Sequence, residues 1–398
     1  MTLNLFLIFG TVFFAFALVS KRIEGTIVTP PILFTVGGFC LSAILMERAG
    51  LTYNEGALHV LAEITLILVL AADASQISFD ELKHQKAIPM RLLLIALPLI
   101  MLMGTLVGYT IFPGIEWFEA ALIAAILAPT DAALGASVLA DKTVPPKIRQ
   151  GLNVESGLND GIALPAVLFF ACFLNLTHQT GEVNWLVFLS LQLIIGPIAG
   201  IIVGWVGGHL IATASKKGWM TSEFQGVAAI ALAVIAFAVA EVCHGNGFIA
   251  AFVAGLTYGN LHVHYSKFLH EFTETESQFL TYLTFFLFGA LILPEAMHHI
   301  NTEIVLYACL SLTLVRMLPV FIAMLGSGFR LPTVAFMGWF GPRGLASLLF
   351  ALLVLEDLHV EQAEFIQTVV ATTVLLSVIL HGITAAPLSK RLGRSQKA

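Results

Sequence analysis

The chain has 398 residues, of which 58% are hydrophobic and only 11% charged, and its mean hydropathy is +0.92. Soluble domains carry about 25% charged residues, so this composition excludes a soluble enzyme or a nucleic-acid-binding module and points to an all-α polytopic membrane protein. The net charge of −6 adds little, because position in the bilayer governs the behaviour of such a chain.

Thirteen apolar spans are predicted, over 3–20, 27–46, 57–75, 88–112, 117–139, 152–176, 185–213, 223–243, 246–260, 279–294, 303–325, 333–356 and 366–388. The first reads as a retained helix rather than a signal peptide, since no small-residue cleavage site follows it. The ninth is short for a full crossing. If all thirteen cross, every Lys and Arg except Arg48, Arg316 and Arg343 falls on one side, in loops, in the tail 389–398 or, for Arg91, at the end of a span. The positive-inside rule makes that side cytoplasmic, with the N-terminus outside and the C-terminus inside. Glu295, Glu303, Glu356, Asp357, Glu361 and Glu364 then lie in solvated external loops. Cys40, Cys172, Cys243 and Cys309 sit in apolar segments at unrelated spacings and read as small buried residues, not as a disulfide or metal framework.

Two spans are interrupted. The fifth reads Ala128-Pro129-Thr130-Asp131 and the twelfth Phe340-Gly341-Pro342-Arg343-Gly344. Taking 3–176 and 223–388 as six-helix halves joined by the span 185–213, each break falls in the fifth helix of its half. The halves start on opposite sides of the membrane, which makes them inverted repeats. Paired Gly/Pro-interrupted segments in corresponding positions mark a transporter binding site. Where two broken helices meet, Asp131 offsets positive helix N-termini and Arg343 negative C-termini. The linking span carries Gly196, Gly200, Gly204 and Gly208, a close-packing face expected to serve contacts between the halves.

Carboxylates at membrane depth are costly and default to ion paths or proton relays. Beyond Asp131 there are Glu155 and Asp160, in Glu155-Ser156-Gly157-Leu158-Asn159-Asp160-Gly161. Ser156, Asn159 and Asp160 share one helical face, with Glu155 flanking it. Backbone carbonyls freed by Pro129, carboxylates and a hydroxyl together describe a site for a small hard cation. A carboxylate there holds a cation or a proton in turn, which is an antiport mechanism in itself. Arg343 needs a partner at this depth, and Glu155 is the expected one, leaving Asp131 and Asp160 for the ion. Asp73, at the end of the third span, is either an entrance or water-mediated ligand or a helix cap. His262, His264, His270, His298 and His299 fall in loops on both sides, which argues against a single pH sensor. His381, inside the last span, is expected to be a hydrogen-bonded buried residue.

At these residues the chain resembles the cation/proton antiporter superfamily, in the branch of NhaP-type antiporters and animal sodium/proton exchangers. The matching stretches are Pro129-Thr130-Asp131, Glu155-Ser156 with Asn159-Asp160-Gly161, and Phe252-Val253-Ala254-Gly255-Leu256 with Gly259-Asn260. Phe285-Phe286-Leu287-Phe288-Gly289, Gly341-Pro342-Arg343-Gly344 and His381-Gly382 complete the set. The resemblance implies a thirteen-helix NhaA-like fold with crossed discontinuous helices 5 and 12, a homodimer and an elevator-like motion. It implies Na+ ligation by Asp131, Asp160, the Ser156 hydroxyl and the Thr130 carbonyl, with Glu155 paired to Arg343. Asn159, Pro129, Gly341 and Pro342 would support the site. Electrogenic relatives carry Asp-Asp where this chain has Asn159-Asp160, which implies electroneutral exchange. Asp73 replaces a glutamate common in relatives, and no large cytoplasmic regulatory domain follows the last span.

The expected activity is therefore Na+(Li+)/H+ antiport in the cell membrane, without enzymatic chemistry or cofactor. The cargo is a monovalent cation and a proton, and the partners are the lipid bilayer and a second copy. K+/H+ antiport stands beside it, since both ions take oxygen ligands. A sodium-coupled organic-anion symporter would need a basic residue besides Arg343. An intramembrane hydrolase would need a histidine base beside Ser156 or a metal-ligand pair.

Overall fold

The computed structural model describes residues 2–23, 26, 28–49, 55–79, 83, 87–141, 143–178, 185–261, 278–357 and 362–395, and every regular element among them is helical. In chain order these are α1 (Thr2–Ile23), α2 (Pro30–Ala49), α3 (Glu55–Ser75), α4 (Ala87–Ile111), α5 (Trp117–Ile126) and α6 (Ala132–Ala140). They continue with α7 (Pro146–His178), α8 (Trp185–Lys216), α9 (Ser222–Val242), α10 (Gly247–Leu261), α11 (Gln278–His299) and α12 (Thr302–Ala323). Last come α13 (Leu331–Trp339), α14 (Leu345–Asp357) and α15 (Ala363–Ser395). Among the described residues, seven helices are long and apolar enough to cross a membrane: α4, α7, α8, α9, α11, α12 and α15.

The two predicted interruptions are real. The fifth apolar segment is split into α5 and α6, and the twelfth into α13 and α14. Glu116 opens α5 through a reciprocal capping box with Glu119. The helix stops before Pro129, whose ring cannot fit a continuing helix. Three further irregularities occur, two of them just ahead of a proline, Pro98 in α4 and Pro294 in α11. Leu92–Ala96 in α4 and Phe288–Ile292 in α11 are π-helical. In α12 the backbone breaks step at Thr313 (φ −108°, ψ −90°), three residues before Arg316. The segment expected to be a tail, 389–398, is helical as far as Ser395, as a continuation of α15.

Glycines set the closest packing. A Cβ on Gly196, Gly200 or Gly204 of α8 would meet the carbonyl of Asn246, just before α10, or of Ala250 or Ala254 within it, and one on Gly255 or Gly259 would meet the Ala71 or Ser75 carbonyl of α3. The small-residue face of α8 thus packs within the chain, against α10 and the turn before it. The 15 residues of α10 rise about 22 Å, short of a hydrocarbon core of about 30 Å. With backbone contacts on two sides, it is enclosed by other helices, so lipid thickness does not set its length. Gly38 of α2 and Gly289 of α11 repeat the pattern, against the Phe286 and Thr35 carbonyls. Glu241 accepts the Gly247 N–H at 2.8 Å and fixes the turn from α9 to α10, where His244 takes a positive φ of 60°.

Several surface expectations need correction. Cys172 is buried, but Cys40, Cys243 and Cys309 are exposed, and all four are free thiols. Glu295, His298 and His299 belong to the last turns of α11 rather than to a loop. His299 Nε2 lies 3.1 Å from Glu364 at the start of α15, which brings those two helix ends together. His262, His264, His270 and Glu361 lie outside the described residues.

Candidate cation site at two broken helices

The interruptions 127–131 and 340–344 lie against each other. Asp131 N donates to the Pro342 carbonyl at 2.8 Å. Asp131 Oδ1 accepts the Ala133 and Leu134 N–H groups at 2.7 and 3.1 Å, which caps α6. Its Oδ2 accepts the Leu345 N–H at 2.6 Å, at the start of α14. One carboxylate therefore closes the N-termini of both half-helices, where the helix dipoles favour negative charge.

Arg343 does the converse. Its Nη1 donates to the carbonyls of Ala128 and, at 3.1 Å, Pro129, just beyond the C-terminus of α5. Ser347 Oγ adds a bond to the Ile126 carbonyl at 2.7 Å. The glycines of Gly341-Pro342-Arg343-Gly344 have separate reasons to lack a Cβ. At Gly344 it would strike the Asp131 carboxylate, and at Gly341 the Arg316 guanidinium.

The expected Glu155–Arg343 pair is not what forms. Glu155 Oε1 lies 2.6 Å from Nη1 of Arg316, with side-chain exposures of 3% and 1%. Among the described residues no ion pair joins Glu155 to Arg343, whose Nη1 serves the carbonyls of the first break. Arg316 enters from the disturbed turn of α12 through the space that Gly341 leaves open. Its position mid-span was evident in the sequence. No local feature said which of two arginines the glutamate would meet.

On α7, Ser156, Asn159 and Asp160 share a face turned to the first break, as the spacing requires. Ser156 Oγ donates to the Thr130 carbonyl at 2.9 Å and lies 3.1 Å from the Thr130 hydroxyl. Asn159 Nδ2 donates to Thr130 Oγ1 at 2.6 Å. The two oxygens expected to share a cation are thus bonded to each other here. Asp160 is 6% exposed, and its Oδ1 has no hydrogen-bond partner among the described residues.

A cavity of about 570 Å³ gathers Asp160, Asp131, Asp73, Pro129 and Thr130 on its wall. Asp73 is therefore a wall residue. Gln76, Ala136, Asn153 and Gln278 on the same wall are exposed. Glu155, Ser156, Asn159 and Arg343 stand behind the wall. Three like-charged carboxylates in one low-dielectric cavity repel one another, so cations or protons must balance them. Among the described residues the wall offers oxygen donors, with no thiol and no imidazole, which suits a hard cation.

Residues 6–391 match the family model described as sodium/hydrogen exchanger, transmembrane. A Na(+)/H(+) antiporter NhaP of Pseudomonas aeruginosa is 28% identical over 85% of this chain and 82% of its own length. A K(+)/H(+) antiporter NhaP of Alkalimonas amylolytica is 24% identical over 98% of this chain and 67% of its own. In three dimensions the chain superposes on the sodium proton antiporter MjNhaP1 of Methanocaldococcus jannaschii with a TM-score of 0.77, at 21% identity over 98% of this chain and 99% of that one. From the family match along nearly its whole length, the chain belongs to the transmembrane sodium/hydrogen exchanger family.

Proposed function

We propose that the protein exchanges Na+ or Li+ for H+ across the cell membrane, the cation and the proton competing for Asp160 and Asp131. The observation that carries this reading is the partnerless Oδ1 of buried Asp160, in a cavity shared with Asp131 and Asp73. A cation there recruits Asp160 first, because two of the Asp131 lone-pair directions already serve α6 and a third serves α14. Ser156 and the Thr130 carbonyl join by giving up their mutual bond. Asp73 acts as a third carboxylate that draws cations in, and Glu155 with Arg316 is the structural ion pair.

In this reading the thirteen apolar segments all cross the bilayer, twelve of them as two inverted repeats joined by the seventh, with the broken fifth and twelfth crossing at the midplane. The N-terminus is outside and the C-terminus is in the cytoplasm. The exposed wall residues Gln76, Ala136, Asn153 and Gln278 then sit toward the basic, cytoplasmic side, so the conformation is inward-facing. Alternating access carries the site to the other side, and the working unit is a homodimer. One titratable group fewer at Asn159 makes exchange electroneutral.

The test uses purified protein in liposomes with a trapped pH-sensitive dye and an acid interior. Sodium added outside should alkalinise the lumen, and Asp160→Ala should abolish the response. K+/H+ exchange is the second reading, favoured by the Alkalimonas relative, whose name is that of a K(+)/H(+) antiporter. A response to potassium but not sodium would select it. No response to any monovalent cation would sink both.

A further inference from the structure

We infer that His381 and Ser377 on α15 are positioning residues for the cation site, tying both ends of the second interruption to one rigid helix. The ends in question are Trp339, which closes α13, and Arg343, which precedes α14. Arg343 N donates to Ser377 Oγ at 2.7 Å. Ser377 Oγ lies 3.1 Å from His381 Nδ1. His381 Nε2 lies 2.9 Å from the Trp339 carbonyl.

A carbonyl only accepts, so Nε2 must carry a ring proton. In the neutral ring Nδ1 then accepts the Ser377 hydroxyl proton, which frees that oxygen to accept the Arg343 N–H. The donors and acceptors form one consistent chain from Arg343 through Ser377 and His381 to Trp339. The Ser377 carbonyl, 3.0 Å from Nδ1, would be used only by a doubly protonated ring. Ser377 is 0% and His381 1% exposed, so water does not compete for these bonds.

A further bond fixes the same end. Trp339 Nε1 donates to Thr384 Oγ1 at 2.9 Å. Ser377, His381 and Thr384 stand at i, i+4 and i+7, a single stripe of α15. All three side chains hold the twelfth segment, and none of them lines the cavity.

The backbone held from behind in this way carries the contacts that shape the site. Arg343 reaches the Ala128 and Pro129 carbonyls, and Leu345 N holds Asp131 Oδ2. Releasing Arg343 N lets both contacts drift. A displacement near 1 Å at a reacting geometry costs up to about 100-fold. The loss should therefore fall on cation affinity more than on folding. α15 also runs beside the first half of the chain, where Thr143 Oγ1 lies 3.3 Å from the Ser389 carbonyl, so the helix that carries the stripe touches both halves.

This rests on the exchange reading above. In proteoliposomes, His381→Leu and Ser377→Ala should each raise the apparent KM for sodium about tenfold or more, with a smaller fall in Vmax. His381→Gln, whose amide nitrogen reaches the Trp339 carbonyl, should return KM to within about threefold of wild type. The double variant Ser377→Ala/His381→Leu should be no worse than the poorer single, because the chain acts as a unit. An unchanged KM in His381→Leu overturns the inference. So does a Gln variant as impaired as the Leu variant, or a lowered melting temperature with KM intact. If His381→Leu does not fold, Ser377→Ala decides alone, with unchanged KM as the refutation. Silence of the wild type in exchange counts against the exchange reading only. The sodium concentration that half-saturates thermal stabilisation of the same variants then judges the positioning role by the same criterion.

Discussion

Glu155 and Arg316, 2.6 Å apart and almost wholly enclosed, form the charge pair that anchors α7 to α12 behind the cation site. Removing one partner of such a pair leaves an uncompensated buried charge and costs about 3–5 kcal/mol, whereas replacing both with apolar or neutral groups is often tolerated. Arg316→Met should therefore lower the melting temperature strongly, and Glu155→Gln/Arg316→Met should recover most of the loss. A double-mutant cycle should find the 155–316 coupling larger than the 155–343 coupling. The opposite ranking would restore Arg343 as the partner of Glu155.

Gly344→Ala should abolish exchange, because its Cβ would strike the Asp131 carboxylate that caps two helices. Gly341→Ala should instead act through Arg316 and report mainly as lost stability. Gly135 in α6 has open space where a Cβ would go. There Ala should stabilise by about 0.5–1 kcal/mol. Thermal denaturation with an exchange assay separates the three, and equal damage at 135 and 344 would contradict the geometry.

Competition between a proton and a cation at Asp160 has a definite sign. As pH falls, more protons occupy the carboxylate, so the apparent KM for sodium should rise. With one competing proton the rise approaches about tenfold per pH unit on the acid side. Vmax at saturating sodium should change much less. Asp73→Asn should raise KM at all pH values while leaving exchange measurable, because it removes charge from the cavity wall without removing Asp160. A sodium KM independent of pH would rule out a shared site.

With Asn159 in place of a second adjacent carboxylate, one proton should move per cation. Exchange measured with an imposed diffusion potential of either sign should match exchange at zero potential. A rate that follows voltage would mean that another group, Asp73 foremost, carries a second proton.

Much of this site was readable in the chain. Proline and glycine within apolar segments marked both breaks, and the demands of helix ends gave Asp131 and Arg343 their opposite tasks. The face shared by Ser156, Asn159 and Asp160 followed from 3.6-residue periodicity. The identity of the Glu155 partner did not follow. Two arginines were buried at similar depth, and the choice turned on the room left by Gly341 and the disturbed turn at Thr313, which has no sequence signal. Periodicity put Ser156 on the face of Asp160, and the family resemblance named the Thr130 carbonyl, but neither could show that the two bond each other. Ser377, His381 and Thr384 are a regular helical stripe, yet their register against Trp339 and Arg343 exists only in three dimensions.

The glycine contacts that join α8, α10 and α3, and α2 with α11, have a mechanical consequence. Where backbone touches backbone, no layer of rotamers lies between two helices to be rearranged, so sliding along such a seam means climbing over carbonyl oxygens one by one. These helices behave as a stiff frame. Displacement is left to surfaces where side chains interleave, including the walls of the carboxylate-lined cavity. A disulfide engineered across a glycine seam should therefore leave turnover untouched, while one spanning the cavity wall should arrest it.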